Sequence, residues 1–119
     1  MPLALSFAKQ AGDEQDQLLL QFFLNVVEFG MTVQEATEAA SFKTLQMYSS
    51  FGKHEKKPGD LTLNSATPAW VRKDLSRMGY RLNYQDRTSG PINAIWFDWV
   101  HGTFWGGSSN HGEDYGIGW

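Results

Sequence analysis

The sequence contains no cysteine, which excludes disulfides, thiol catalysis, iron–sulfur clusters and thiolate zinc sites together. Basic side chains are in deficit: ten lysines and arginines stand against thirteen acidic residues, for a net charge of −3. Binders of nucleic acid or of anionic membranes need a basic face, so neither partner is expected. Long hydrophobic runs are lacking too. The most apolar stretch, Gln17 to Val27, is short and carries three amides, Gln17, Gln21 and Asn25, whereas a bilayer span needs about 20 apolar residues. Residues Met1 to Lys9 show neither a basic leader nor a hydrophobic segment ending in a small-residue cleavage site. The chain reads as soluble and, without an export signal, as cytoplasmic by default.

What is present suits a single domain over 1–119, since domains commonly run to roughly 100–150 residues. Apolar residues at 41% and charged residues at 19% argue against disorder. Six of the twelve glycines and four of the five tryptophans lie at or beyond Trp96. The C-terminal quarter therefore reads as sheet and turn, with helices earlier.

Pro2 to Lys9 reads as a strand that ends at the small-residue turn Gln10-Ala11-Gly12. A helix follows, with Asp13 as its capping acceptor and Glu14 and Asp16 at the positive end of its dipole. Leu18, Leu19, Leu20, Phe22, Phe23, Leu24, Val26, Val27 and Phe29 make it apolar nearly all round, the pattern of a helix covered on more than one side. Gly30 suits the left-handed position that ends a helix. Thr32 and Glu35 are spaced as a capping box for a short second helix with Val33, Ala36 and Ala40 as its stripe. Phe42 to Phe51 reads as a strand, Lys53 to Asp60 as a charged turn and Leu61 to Leu63 as a short strand. Thr67-Pro68 opens a third helix with proline at its first position, Val71, Leu75 and Met78 form its stripe, and Gly79 closes it. Tyr80 to Gln85, Ile92 to Val100 and Thr103 to Ser109 are strands, the last two joined at His101-Gly102. The expected class is α+β, with helices packed on a mostly antiparallel sheet.

Few constellations carry chemistry. His54 lies in a charged loop, His101 at a hairpin tip, and His111-Gly112-Glu113 matches half of a zinc-deaminase signature whose other half needs cysteine. Three histidines on separate elements make no metal site, and a helix start explains Asp13, Glu14 and Asp16 without a bound ion. Neither a phosphate-cradling loop nor a serine-nucleophile motif occurs, and no cofactor is expected. The aromatic hairpin of Trp96, Phe97, Trp99, Phe104 and Trp105 reads as core and cross-strand pairs, with a sugar-stacking platform as the rival. The stronger feature is the strand–turn–helix at Phe7 to Gln17. A turn of small residues feeding a helix leaves backbone N–H groups free and convergent, a place that stabilises negative charge.

Phe7 to Gln17 and Leu20 to Asn25 resemble the gamma-glutamyltranspeptidase family, in which a Gly-x-Pro-Gly-Gly turn leads into a polar helix start and a long apolar helix. Glu28-Phe29-Gly30-Met31-Thr32-Val33-Gln34-Glu35-Ala36 is similar to that family's D-F-G-M-x-x-Q-E-A stretch. Arg77-Met78-Gly79-Tyr80 resembles its L-x-x-x-G-H helix end, and Gly112 to Ile117 its C-terminus. The resemblance spans the chain but only the last portion of the family's small subunit. It implies an N-terminal-nucleophile hydrolase fold, an αββα sandwich of which this chain is a part. It also implies gamma-glutamyl transfer or hydrolysis by a threonine that attacks with its own α-amine as base. The family sets that threonine in a T-T-H-x-x-V-x-D sequence, and no threonine here has that context. The paired glycines that donate backbone N–H groups to the oxyanion fall at Ala11 and Gly12. Were the first of these positions to need positive φ, Ala11 would strain the turn.

The expectation is therefore a piece of a gamma-glutamyltransferase-like enzyme that supplies the oxyanion turn, lacks the nucleophile and is inactive alone. Its partner would be a complementary chain. The alternative is a non-catalytic binding or oligomerisation module, with a second copy as partner; a carbohydrate-binding hairpin is a third.

Overall fold

In a computed structural model, which describes residues 4–88, 90–111 and 115–118, the first strand is β1 (Leu5–Lys9). The Pro2 and Leu3 part of the expected strand lies outside the described residues, as do Gly112, Glu113 and Asp114 of the two C-terminal motifs. β1 pairs antiparallel with β5 (Ile92–Asp98), which pairs antiparallel with β6 (Thr103–Ser108). Alternation along these strands turns Phe7, Ile92, Ala94 and Trp96 to one face, where α1 (Gln15–Val27) and α2 (Val33–Glu38) cover them. Phe22, Val26, Val33, Ala36, Ile92 and Ala94 form the buried cluster.

The α1–α2 corner follows from four residues of the Glu28 to Ala36 stretch. Gly30 adopts φ +68°, which lets the Met31 N–H return to the Asn25 carbonyl at 3.0 Å. Thr32 and Glu35 then form the expected capping box, with Glu35 N–H on Thr32 Oγ1 at 3.2 Å and Thr32 N–H on the Glu35 carboxylate at 2.8 Å. Those bonds from Thr32 hold the Glu35 carboxyl below the usual carboxylate range, the backbone donor contributing most. Gln34 clamps the edge strand: its amide accepts from Ser108 N–H and donates to the Ser108 carbonyl, both at 3.0 Å.

Residues 40–89 form a second compact unit, the first being 1–39 with 90–119. The second unit has its own sheet, in the order β2 (Phe42–Leu45), β3 (Lys57–Asn64), β4 (Arg81–Gln85). β2 pairs antiparallel with β3, whereas β3 and β4 run parallel and are joined through α3 (Ala69–Arg77). Leu61 and Leu63 are its buried apolar side chains among the described residues. Ser41 and Thr88, both buried, share a hydroxyl–hydroxyl bond of 2.6 Å. The helix stop at Gly79 is a paired one: φ is +94°, Gly79 N–H reaches the Ser76 carbonyl and Tyr80 N–H the Leu75 carbonyl.

The mixed α+β class is as expected, but the strands form two three-stranded sheets. Several boundaries also differ. The Phe42 to Phe51 strand stops at Leu45, where the register with β3 slips. β3 begins at Lys57, inside the expected charged turn, because the charged end of this strand lies exposed and pairing with Leu45 defines it. Pro68 is the cap of α3 (ψ 144°), one position before the helix. Met78 and Ala40 fall beyond their helices and are exposed. Glu14, in helical conformation, is the cap position of α1. Among the described residues no helix is long and apolar enough to cross a membrane.

Candidate functional site

The Gln10-Ala11-Gly12 turn occupies the short interval between the end of β1 and the start of α1. Both flanking elements are anchored. Phe7, on the inward face of β1, packs on Phe22 (ring centroids 5.1 Å apart) and stacks on Phe23 (6.2 Å). The two flanking elements are thus held together by aromatic contacts two residues before the end of β1 and about two turns into α1.

The carbonyls of the turn are occupied. The Gln15 side-chain amide donates to Ala11 O, Gln15 N–H donates to Gly12 O at 3.1 Å, and Lys9 Nζ donates to Gln10 O at 3.4 Å. A trans peptide sets its C=O and the following N–H on opposite sides of the chain. With the Gln10 and Ala11 carbonyls tied to Lys9 and Gln15, the Ala11 and Gly12 N–H groups point the other way. Among the described residues neither amide has a hydrogen-bond acceptor, and Gly12 is exposed. Unpaired amides at an open surface are available to an anion. His54 is the non-glycine residue with positive φ among those described, so Ala11 sits in the turn without left-handed strain.

The histidines are placed apart. His54 is exposed with Nδ1 2.8 Å from the Ser49 carbonyl. His101 Nδ1 lies 2.7 Å from Asp98 Oδ2, and Asp98 Oδ1 accepts the Val100 and His101 N–H groups. The His101 hydrogen bond is the main cause that lowers the Asp98 carboxyl from its ordinary value. The aromatic hairpin departs from the core reading. Phe97 and Phe104 are a cross-strand pair, edge to face at 5.1 Å, yet Trp99, Phe104 and Trp105 are all more than half exposed. Residue type alone reveals neither which face of a sheet a helix covers, which leaves Phe104 outside, nor how far that cover extends, which leaves Trp105 half exposed although it pairs with inward Trp96. Sequence reasoning also passed over Gln34, whose role is visible only once β6 lies beside α2.

No protein-family profile matches the sequence, and no curated protein does. Solved structures are similar to it. A point variant of LmbA2991 superposes over 97% of this chain with a TM-score of 0.88 at 25% identity. An acivicin-inhibited gamma-glutamyltranspeptidase covers 92% of it with a TM-score of 0.74, also at 25% identity. The cephalosporin acylase of Bacillus halodurans covers 95% at 0.78 and 20% identity, a likeness of fold alone. The chain spans 21% of the LmbA2991 chain, 54% of the gamma-glutamyltranspeptidase chain and 19% of the acylase chain.

Proposed function

We propose that this chain is the C-terminal part of the small subunit of a gamma-glutamyltransferase-like enzyme and contributes one portion of an N-terminal-nucleophile hydrolase αββα sandwich. In this reading residues 1–119 act as one domain within that larger assembly. The chain's chemical contribution is the Ala11–Gly12 turn. A threonine on a complementary chain attacks the gamma-glutamyl carbonyl carbon, and its α-amine takes the hydroxyl proton. The carbonyl oxygen gains the charge, and the two amides donate to it. Collapse of the intermediate expels the amine, which recovers the proton.

One observation carries this reading: a pair of acceptorless amides at a strand–helix junction, in a fold shared with a gamma-glutamyltranspeptidase over 92% of the chain. Backbone donors need no particular side chain, so the alanine in place of glycine leaves the donor intact. The nucleophile must come from outside, because no threonine of this sequence stands in the family's context.

The purified chain is therefore expected to leave gamma-glutamyl p-nitroanilide unhydrolysed, and addition of a complementary threonine-bearing chain is expected to restore turnover. In that complex Gly12→Pro deletes one donor, and kcat should fall by roughly 10²–10³-fold while circular dichroism is unchanged. Ala11→Pro is the independent second variant. Turnover by the chain alone, with a covalent adduct on one of its own residues, would overturn the missing nucleophile; unchanged kcat in both proline variants would remove the oxyanion role.

A second reading rests on α1. Leu18, Phe22 and Val26 are buried, whereas Leu20, Phe23, Leu24 and Val27 are 36–56% exposed. That apolar side is a surface for a second copy of the chain. A monodisperse monomer in light scattering excludes this oligomerisation module, and a stable dimer supports it.

A further inference from the structure

We propose that the groove between the C-terminal end of α1 and the β5–β6 hairpin binds an organic cation, an ammonium or guanidinium group on an apolar stem. The groove holds about 300 Å³, the lower end of the range for small-molecule sites. Gly30, Met31 and Thr32 line one side of it. It lies at the far end of the sheet from the Ala11–Gly12 turn, because Leu5 pairs with Trp96 while Lys9 pairs with Ile92.

Its walls select the ligand. Trp96 and Trp105 are direct cross-strand partners, so both indoles stand on the face that looks toward the helices, and both line the groove. Among aromatic side chains, indole faces attract cations most strongly. Two residues beyond Trp96, and therefore on the same face, Asp98 also lines it. This carboxylate is positioned in advance: two backbone N–H groups hold Oδ1 at 3.1–3.2 Å, His101 holds Oδ2, and its side chain is only 18% exposed.

The lining charge is acidic. A neighbouring concavity that shares Gly30 and Met31 carries Glu35 and Glu38, and among the described residues neither lining includes a lysine or arginine. The nearest base, His101, lies on Asp98 Oδ2 and lines neither concavity. An anion entering here would meet carboxylates with no lysine or arginine to receive it, and a neutral apolar ligand would leave the Asp98 carboxylate unused. A cation with an apolar stem satisfies both surfaces, the stem against Val26 and Met31 and the charge between indole and carboxylate.

The test is titration of the whole chain with phenethylammonium, its anionic counterpart 3-phenylpropionate, and a capped tripeptide of leucine, arginine and leucine, read by the indole N–H resonances. Saturable shifts of Trp96 and Trp105, with Trp70 unmoved, are expected for the cations and not for the anion. Tighter binding of the tripeptide would identify the natural source as a polypeptide, and tighter binding of the free amine a small molecule; either outcome supports the site. Asp98→Asn keeps an acceptor for the hairpin amides and should weaken cation binding roughly tenfold. Trp105→Leu, at a residue already half exposed, should do the same if the hairpin tolerates Asp98→Asn poorly. No saturable shift with either cation, an equal response to 3-phenylpropionate, or unchanged affinity in both variants overturns the proposal.

Discussion

Gly107→Ala is the sharpest test of how α2 sits on its sheet. Gly107 is on the inward face of β6, opposite Ala94. A Cβ there would lie 2.8 Å from the carbonyl carbon and oxygen of Val33 and 3.0 Å from the nitrogen of Gln34. Carbon–carbon contacts settle at about 3.5–4.0 Å, so the helix backbone must retreat by more than half an ångström. No rotamer change relieves this, since every atom met is main chain. Overpacking of this kind costs typically 1–3 kcal/mol; about 2 kcal/mol corresponds to a drop in Tm of roughly 5–12 °C at this chain length. Gly106→Ala is the control. Its Cβ would meet nothing within 4 Å, and a change within about 0.5 kcal/mol is expected. Retreat of α2 also loosens the Gln34 clamp on Ser108, so Gln34→Ala should cost less in the Gly107→Ala background than alone. Thermal melts followed by near-ultraviolet circular dichroism measure the stabilities, and hydrogen exchange of the α2 and β6 amides localises the loss. Equal stability of the two alanine variants would show that α2 does not lie against β6 as described.

Phe22→Ala should destabilise by about 3–5 kcal/mol, the cost of emptying a buried aromatic site, because Phe22 is 1% exposed. The adjacent Phe23→Ala, at 40% exposure, should cost clearly less in the same urea titration; the reverse order would mean that α1 is rotated. Thr32→Ala removes the Oγ1 half of the capping box and keeps the backbone N–H on Glu35; it is expected to cost about 1 kcal/mol, seen as faster exchange in the first turn of α2. Glu35 and Asp98 both have folded-state values below their ordinary 4.5 and 3.8. Their contributions are therefore complete above those values and are lost as pH falls through the lower folded ones. Denaturant midpoints should stay flat at neutral pH and decline below about pH 4.5, only slightly less steeply in Thr32→Ala, because the larger cause, the backbone bond to Glu35, survives that change.

Much of the frame was legible because short-range chemistry decides it. The capping box, the glycine stops at Gly30 and Gly79, and β4 to β6 each follow from neighbours within a few residues. What escaped depended on distant partners. Lys57 joins a strand through its pairing with Leu45, and nothing in its own charged surroundings says so. Nine apolar positions suggested cover on several sides of the first helix; Phe29 lies beyond its end, the sheet takes one side, and Leu20 is 56% exposed. The candidate site shows the same division. A turn of small residues before a helix was readable, but the direction of its amides was not, since that is set by Lys9 and Gln15 acting on the carbonyls. The Glu28 to Ala36 stretch has a comparable lesson. Its recognisable letters include a left-handed stop, a cap and a clamp, so in this chain they account for a corner of the fold.

The first unit is assembled from both ends of the sequence, with residues 40–89 inserted between α2 and β5. On a ribosome this orders events in time. Every strand partner of the inserted unit lies between Phe42 and Gln85, so it can close soon after emerging, whereas β1 must wait for a strand some ninety positions downstream. Until Ile92 to Ser108 has been synthesised, β1 and the helices have no sheet to complete, and their apolar faces stay open to chaperones or to misassembly. The Ala11–Gly12 turn, although made well before the rest of its sheet, would gain its geometry only once β5 has emerged.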